Sequence, residues 1–165
     1  MRRNKKTSSY AGRTVDLLLL KTVSDVPVTD RNVTLDVSNM VDEPMVVSGV
    51  EKMVQRYAVS FINAIGSTKF VDGHGTNIIP SVANGLVYST ATLEAAAAEA
   101  NLLAFRQLTS ADDGEDTPDD ERIVKSEVVG LSFSRARSAV SVSVRLESAA
   151  GDSYVYVVPV GVGVH

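Results

Sequence analysis

The sequence predicts an α+β protein in which two helices pack on a small antiparallel sheet and a three-stranded meander ends the chain. Two central stretches repeat apolar residues at the three-then-four spacing of a helix. The last third alternates apolar and polar residues with the period of a strand, and strands and helices do not alternate as a parallel sheet requires. With 165 residues, 44% of them hydrophobic, we expect a flexible basic arm over residues 1–13 and a single domain over residues 14–165.

Charge and composition narrow the function classes. Residues 1–13 hold five basic and no acidic side chains, which leaves 11 basic against 20 acidic side chains in the rest. An acidic body argues against a nucleic-acid surface, and we expect the arm to be a solvated tail. The absence of cysteine excludes disulfides and thiolate metal sites. The apolar run 17–20 is too short to cross a bilayer, so we expect a soluble protein made in a cytoplasm.

The first elements are predicted to be strands. Residues 14–20 are nearly continuous in apolar side chains, which is typical of a strand buried on both faces or laid on a partner. Residues 33–37 alternate valine and leucine with polar residues, which predicts a half-buried strand. Pro27 and the polar cluster 29–32 supply a turn between them.

The helical spacing is clearest over residues 49–65. Ser48 and Glu51 have the spacing of a capping box at its start, and Gly66 is placed to end it. We expect this helix to make the main helical contact with the meander. Its predicted buried face contains an aromatic residue, Phe61, among aliphatic side chains.

A loop, a second helix and an acidic segment follow. Residues 67–84 contain glycines, polar residues and a proline without helical spacing, which predicts an ordered loop. Residues 92–108 repeat alanine and leucine along one helical stripe. Seven of the ten residues over 112–121 are acidic, and we expect this segment to be a solvated, mobile connection.

Three strands are predicted at the end of the chain, over residues 123–133, 140–147 and 154–158. The middle strand alternates strictly, so one face points to the core and the other to water. Gly130 is predicted to mark a bulge that changes the phase of alternation in the first strand. Residues 135–137 and 149–152 are the predicted turns, and Pro159 limits pairing at the edge.

The sequence predicts no catalytic residue, cofactor site or metal site. His74 with Asp72 could form half of a metal or general-base site, but no second histidine stands nearby. The acidic segment 112–121 lacks the alternating acids and sixth-position glycine of a calcium loop. No serine-hydrolase, zinc-protease or phosphate-binding motif occurs.

Two regions carry a resemblance to a known family. Residues 48–65 and 72–78, which include Gly75-Thr76, resemble the helix and following Gly-Thr or Gly-Ser loop of baseplate wedge proteins of contractile phage tails. This is the sheath-initiator family once labelled lysozyme-like. Residues 120–123, Asp-Glu-Arg-Ile, stand where the family usually has Glu-Pro-Arg-Ile, and residues 152–160 resemble its closing segment.

The resemblance implies a structural role in a virion tail, with assembly in the host cytoplasm. Members surround the tail tube in several copies around the sixfold axis and template the first ring of sheath subunits by strand exchange. The implied partners are the sheath protein, other wedge proteins and tube or tube-initiator proteins, with no cofactor, nucleic acid or membrane. The implied partner-binding residues are Gly75, Thr76, Glu121, Arg122, Tyr154, Val155, Tyr156, Val157 and Val158.

Two alternatives remain open from the sequence. One is a regulatory protein-binding module, because a bacterial anti-adaptor shares the family's fold. The other is a peptidoglycan hydrolase, which the family's old label suggests. No pair of carboxylates with one acid in an apolar setting stands out in the sequence, and this disfavours the hydrolase.

Overall fold

The structure is a computed structural model that describes residues 16–17, 46–67, 73–113, 116–134 and 139–161. Within these ranges, three helices accompany a three-stranded antiparallel sheet, which confirms the predicted α+β class. In chain order the elements are β1 (Asp16–Leu17), β2 (Val46–Val47), α1 (Val50–Ile62), α2 (Ile78–Ala83), α3 (Thr90–Asp112), β3 (Ile123–Ser134), β4 (Ala139–Ser148) and β5 (Ser153–Gly161).

The meander forms as the alternation predicts, in the order β3-β4-β5. The apolar side chains of β4 lie on one face and are almost completely buried. Gly130 marks a bulge, as predicted, because the β3–β4 register shifts between Val128 and Gly130. The shift keeps Val128 and Leu131 packed against the core although they are three residues apart.

The helices form a layer on the buried face of the sheet. α3 lies along β3, and α1 packs mainly on α3 while also reaching β4 and β5. The expectation that α1 makes the main helical contact with the sheet was therefore wrong, because the longer α3 takes that position. Phe61 and Tyr57 of α1 are fully buried, with ring centroids 5.8 Å apart.

α1 is shorter than predicted and is not capped by its own neighbours. Its N-cap is Gly49, at φ 64°, and no side chain caps it, so the predicted Ser48–Glu51 capping box is wrong. The helix ends at Ile62, and Gly66 instead occupies a left-handed position in the turn that follows. The partner of the Gly49 N–H comes from far along the chain, as described below.

The other elements differ from prediction in detail. The predicted loop 67–84 contains the short helix α2. α3 starts earlier, at a capping box formed by Ser89 and Thr92, and runs on to Asp112. β1 occupies two residues of the predicted strand 14–20 and pairs with β2, which the sequence pattern did not indicate. The arm 1–13, the strand 33–37 and the turn 135–137 lie outside the described residues.

Candidate functional site

The sheet has two edges, and they are the first place to look for partner binding. β4 lies between β3 and β5, so each outer strand has one side directed away from β4. We call these sides the β3 edge and the β5 edge. Within the described residues no strand pairs with either edge. An unpaired edge presents backbone N–H and C=O groups that an incoming strand can satisfy.

The hydrogen-bonding phase of β5 follows from the turn that precedes it. The Ser148 N–H donates to the Asp152 carbonyl at 2.9 Å, so these two residues form a hydrogen-bonded pair. The register continues from this pair along β4 and β5 without a shift. Because bonded and non-bonded pairs alternate in an antiparallel ladder, Tyr156 and Val158 bond to β4. The backbone groups of Val155 therefore point to the β5 edge.

Pro159 gives an independent check on this phase. The same alternation turns the backbone of Val157 outward and leaves residue 159 opposite Ser141 in a non-bonded pair. A proline has no N–H to donate to β4, so it is tolerated in an edge strand only at such a position. The sequence and the ladder thus agree on which groups of β5 face outward.

Among the described residues, the β5 edge lacks the charges and bulges that commonly protect a sheet edge. No charged residue occurs between Ser153 and Gly161, and no bulge interrupts the pairing of β5 with β4. Natural sheets commonly protect an edge with charges, bulges or a covering helix. Only Pro159 interrupts the row of backbone donors.

The side chains predicted to bind a partner on β5 fall into two groups. Tyr154 and Val155 are 42% and 48% exposed. Tyr156 and Val158 are buried on the core face, opposite Val144 and Val142, and Val157 is buried although it belongs to the other face. The apolar excess of this strand therefore reflects burial on both faces, and among the β5 residues whose burial is described the exposed ones are Ser153, Tyr154 and Val155.

The β3 edge is guarded in three ways. Its strand has two register shifts, and it carries Lys125 and Glu127, which are about half exposed. α3 lies alongside. The alternation turns the Ser126 carbonyl away from β4, and the Asn101 amide nitrogen of α3 lies 3.5 Å from that oxygen. Asn101 also accepts a 2.6 Å hydrogen bond from the Tyr57 hydroxyl, which fixes it between α1 and β3.

Gly75 holds a loop against the end of α1 and does not form a surface. Its N–H donates to Gln107 Oε1 at 3.1 Å. The Nε2 of the same Gln107 side chain donates to the Gly75 carbonyl oxygen at 2.9 Å. Gly75 has φ +108°, and a Cβ there would lie 2.5 Å from the Asn63 carbonyl oxygen. Only glycine fits this approach.

Thr76 is fully buried and completes the same junction. Its hydroxyl donates to the Phe61 carbonyl at 2.6 Å, and its N–H donates to the Asn63 carbonyl at 2.7 Å. These bonds satisfy carbonyl groups at the end of α1 that the helix itself leaves unpaired. The structure thus places the Gly-Thr pair in a structural junction.

Glu121 lies buried at the start of α1. Its Oε1 accepts the Gly49 N–H at 2.9 Å, and its Oε2 pairs with Lys52 Nζ at 2.9 Å. A carboxylate is favourable at a helix N-terminus because the unpaired N–H groups give that end partial positive charge. The neighbouring Arg122 is exposed and pairs with Asp119 at 2.7 Å.

The acidic segment 112–121 is anchored at both ends, so the prediction of a purely solvated connection was wrong there. Asp112 is buried, and its Oδ1 lies 2.7 Å from Arg56 Nη2 and 3.2 Å from the Thr117 hydroxyl. Its Oδ2 has no hydrogen-bond partner among the described residues. Arg56 stands one helical turn after Lys52, the partner of Glu121. A local reading of the sequence missed both anchors because their partners on α1 are more than 50 residues away.

The remaining polar groups of interest are His74 and the buried tyrosines. His74 Nε2 lies 3.3 Å from the Ser60 hydroxyl, whereas Asp72 lies outside the described residues. In the part of the chain that the structure describes, no three His, Cys, Asp or Glu residues are grouped to hold a metal ion. Burial raises the pKa of Tyr57 and of Tyr156, whose hydroxyl has no hydrogen-bond partner.

In the part of the chain that the structure describes, the fold is α+β, and its three-stranded sheet has a bulged, charged edge at β3 and a regular, uncharged edge at β5. No family model, curated protein or solved structure matches this chain. None of the helices among the described residues combines the length and hydrophobicity needed to cross a bilayer.

Proposed function

We propose that this chain is a structural protein of a contractile phage tail baseplate, where it surrounds the tube and templates the first ring of sheath subunits by strand exchange. The observation that carries the proposal is the β5 edge, an uncharged and unbulged strand without a described partner. The resemblance of residues 48–65, 72–78 and 120–123 to the sheath-initiator family supports the same role.

An unguarded edge suits a template for physical reasons. Strand addition relies on main-chain hydrogen bonds, so it needs no elaborate pocket, and alternate side chains then select the partner. Copies arranged around the sixfold axis would present several such edges together. The sheath ring would then bind with an effective concentration that no single edge provides.

The residues of the family motifs have a supporting part in this proposal. Gly75, Thr76 and Glu121 hold α1 to its loop and to the start of β3. They would therefore keep the sheet in place for the partner without touching it. Arg122 is exposed and remains available for neighbouring wedge or tube-initiator proteins, with no cofactor, nucleic acid or membrane involved.

The proposed role is not enzymatic. A glycoside hydrolase needs one acid in an apolar setting together with a second carboxylate. The two buried carboxylates of the described residues are Asp112 and Glu121, and each is paired with a cation of α1. Both carboxylates thus anchor the acidic segment to α1, and this supports the proposal that the protein has a structural role.

Deletion of the gene in the phage that encodes this chain tests the proposal. We expect electron micrographs to show tubes on baseplates without polymerised sheath, and expression of the wild-type chain from a plasmid to restore contractile tails. Normally sheathed tails in the deletion strain would contradict the proposal. That result would favour the regulatory protein-binding module, whose loss has no reason to affect tails.

A further inference from the structure

We infer that the sheath segment pairs with the β5 edge through the backbone groups of Ser153, Val155 and Val157, and that pairing stops at Pro159. This inference rests on the proposed function and adds to it the register and the length of the incoming strand. The two edges of the sheet are not equivalent. The alternation of bonded and non-bonded pairs determines which backbone N–H and C=O groups of β5 point away from β4.

The register comes from the Ser148–Asp152 bonded pair described above. Every second residue of β5 turns its N–H and C=O outward, beginning with Ser153 and continuing through Val155 and Val157. Alternate residues of a strand are about 6.8 Å apart, so these three present an evenly spaced row of donors and acceptors. A partner strand of about five residues can satisfy the whole row.

Pro159 sets the end of the pairing. It occupies the next outward position of β5 and has no N–H, so only its carbonyl is available there. A strand that continued past this point would leave one of its own acceptors without a donor. An unsatisfied group of that kind is unfavourable wherever water is excluded.

The exposed side chains indicate the chemistry of the partner. Tyr154 and Val155 are adjacent in the strand, so they expose apolar surface on opposite faces of the sheet. An incoming strand would cover both residues. β5 has no charged residue that could pair with a charged side chain of the incoming strand. The partner segment is therefore extended, and it is uncharged where it lies beside these two residues.

The β3 edge does not fit such a partner. Lys125 and Glu127 place charges along it, and the bulge before Gly130 breaks the even spacing of its backbone groups. Asn101 of α3 already lies against the outward carbonyl of Ser126. A strand added on this side would have to displace that contact.

Amide hydrogen exchange followed by NMR on the full chain tests the assignment, first alone and then with sheath subunits of the same tail. We expect the Val155 and Val157 amides to exchange rapidly in the free protein, while those of Tyr156 and Val158 are protected by β4. Sheath protein should slow exchange at Val155 and Val157 by at least about tenfold. Protection gained only at Ser126 and other β3 amides would overturn the inference and leave the proposed function standing.

Proline variants test the same groups by assembly. Val155→Pro removes an outward backbone N–H at a residue whose side chain is exposed. Val157→Pro removes the next outward N–H, at a residue whose side chain is buried. Ser126→Pro is the matched control because it removes an outward N–H from the β3 edge, and Val155→Thr keeps the β5 donor. We expect both β5 prolines to abolish sheath nucleation, and Ser126→Pro and Val155→Thr to retain it.

The outcomes distinguish a failure of this inference from a failure of the proposed function, the templating of sheath subunits. If the β5 prolines fold, by circular dichroism, and still nucleate sheath, the inference is wrong although the protein remains a template. If the wild-type chain neither nucleates sheath nor gains protection at any amide, the proposed function itself fails. If a proline variant does not fold, the exchange measurement on the wild-type chain decides.

Discussion

The two edges of the three-stranded sheet differ in regularity, in charge and in their helical neighbours. β3 is bulged twice, carries charges and lies beside α3, whereas β5 is regular, uncharged and without a described partner strand. Open edges are normally guarded because they invite association with other chains. Of the two edges, β5 therefore has the backbone that is regular enough to accept another strand.

Both edges depend on the frame that anchors the helices, and breaking that frame should have the largest effect. Glu121→Ala removes the acceptor of the buried Gly49 N–H and the carboxylate that lies 2.9 Å from Lys52 Nζ. We expect a loss of about 3 to 5 kcal/mol in the free energy of unfolding, measured by denaturant titration. Asp119→Ala is the control, because its exposed pair with Arg122 should contribute no more than about 1 kcal/mol. Equal losses in the two variants would show that the buried anchor has no special role.

A cavity in the core tests the same frame without touching charge. Phe61 is fully buried beside Tyr57, so Phe61→Ala should cost about 3 to 5 kcal/mol through lost burial and an unfilled cavity. Leu102→Ala, at a residue that is 46% exposed on α3, should cost far less. A loss below about 1 kcal/mol for Phe61→Ala in denaturant melts would show that this face of α1 is not the core.

Placing a guard on the open edge sharpens the comparison directly. Val155→Lys adds to the β5 edge the kind of charge that β3 already carries. We expect stability to change by no more than about 0.5 kcal/mol, because the side chain is half exposed. Sheath nucleation in a baseplate assembly assay should nevertheless be lost. Val124→Lys, at a similarly exposed residue of β3, is the matched control and should assemble normally.

The smallest effect concerns pH. Burial raises the pKa of Tyr57 and Tyr156 above the ordinary value of 10.0. Well below pH 10 these phenols are neutral in both folded and unfolded chains, so the stability is fully present. Above pH 10 the unfolded chain ionises first, and the free energy of unfolding falls as pH rises. Tyr156→Phe should flatten this decline in denaturant titrations between pH 9 and 11. An unchanged slope would show that Tyr156 ionises equally in both states.

The sequence predicts those features that depend on neighbours along the chain. Strict alternation in β4 identifies the core face, and Gly130 marks the bulge because a change in alternation is visible locally. The spacing of apolar residues also identifies α1 and α3, although their ends are displaced by a few residues.

Long-range contacts account for what the sequence does not reveal. Ser48 and Glu51 have the spacing of a capping box, yet the Gly49 N–H is satisfied by Glu121, which lies 72 residues away. Asp112 looks like part of a solvated acidic run until Arg56 is placed beside it. Pro159 identifies β5 as an edge strand from the sequence, but nothing local shows that α3 lies along the other edge strand, β3.

A structure of the assembled baseplate at side-chain resolution tests the central claim most directly. We expect a fourth strand, supplied by the sheath protein, that is hydrogen-bonded to Val155 and Val157 and ends beside Pro159. A baseplate in which the β5 edge stays unpaired, or in which the sheath pairs with β3, would contradict it.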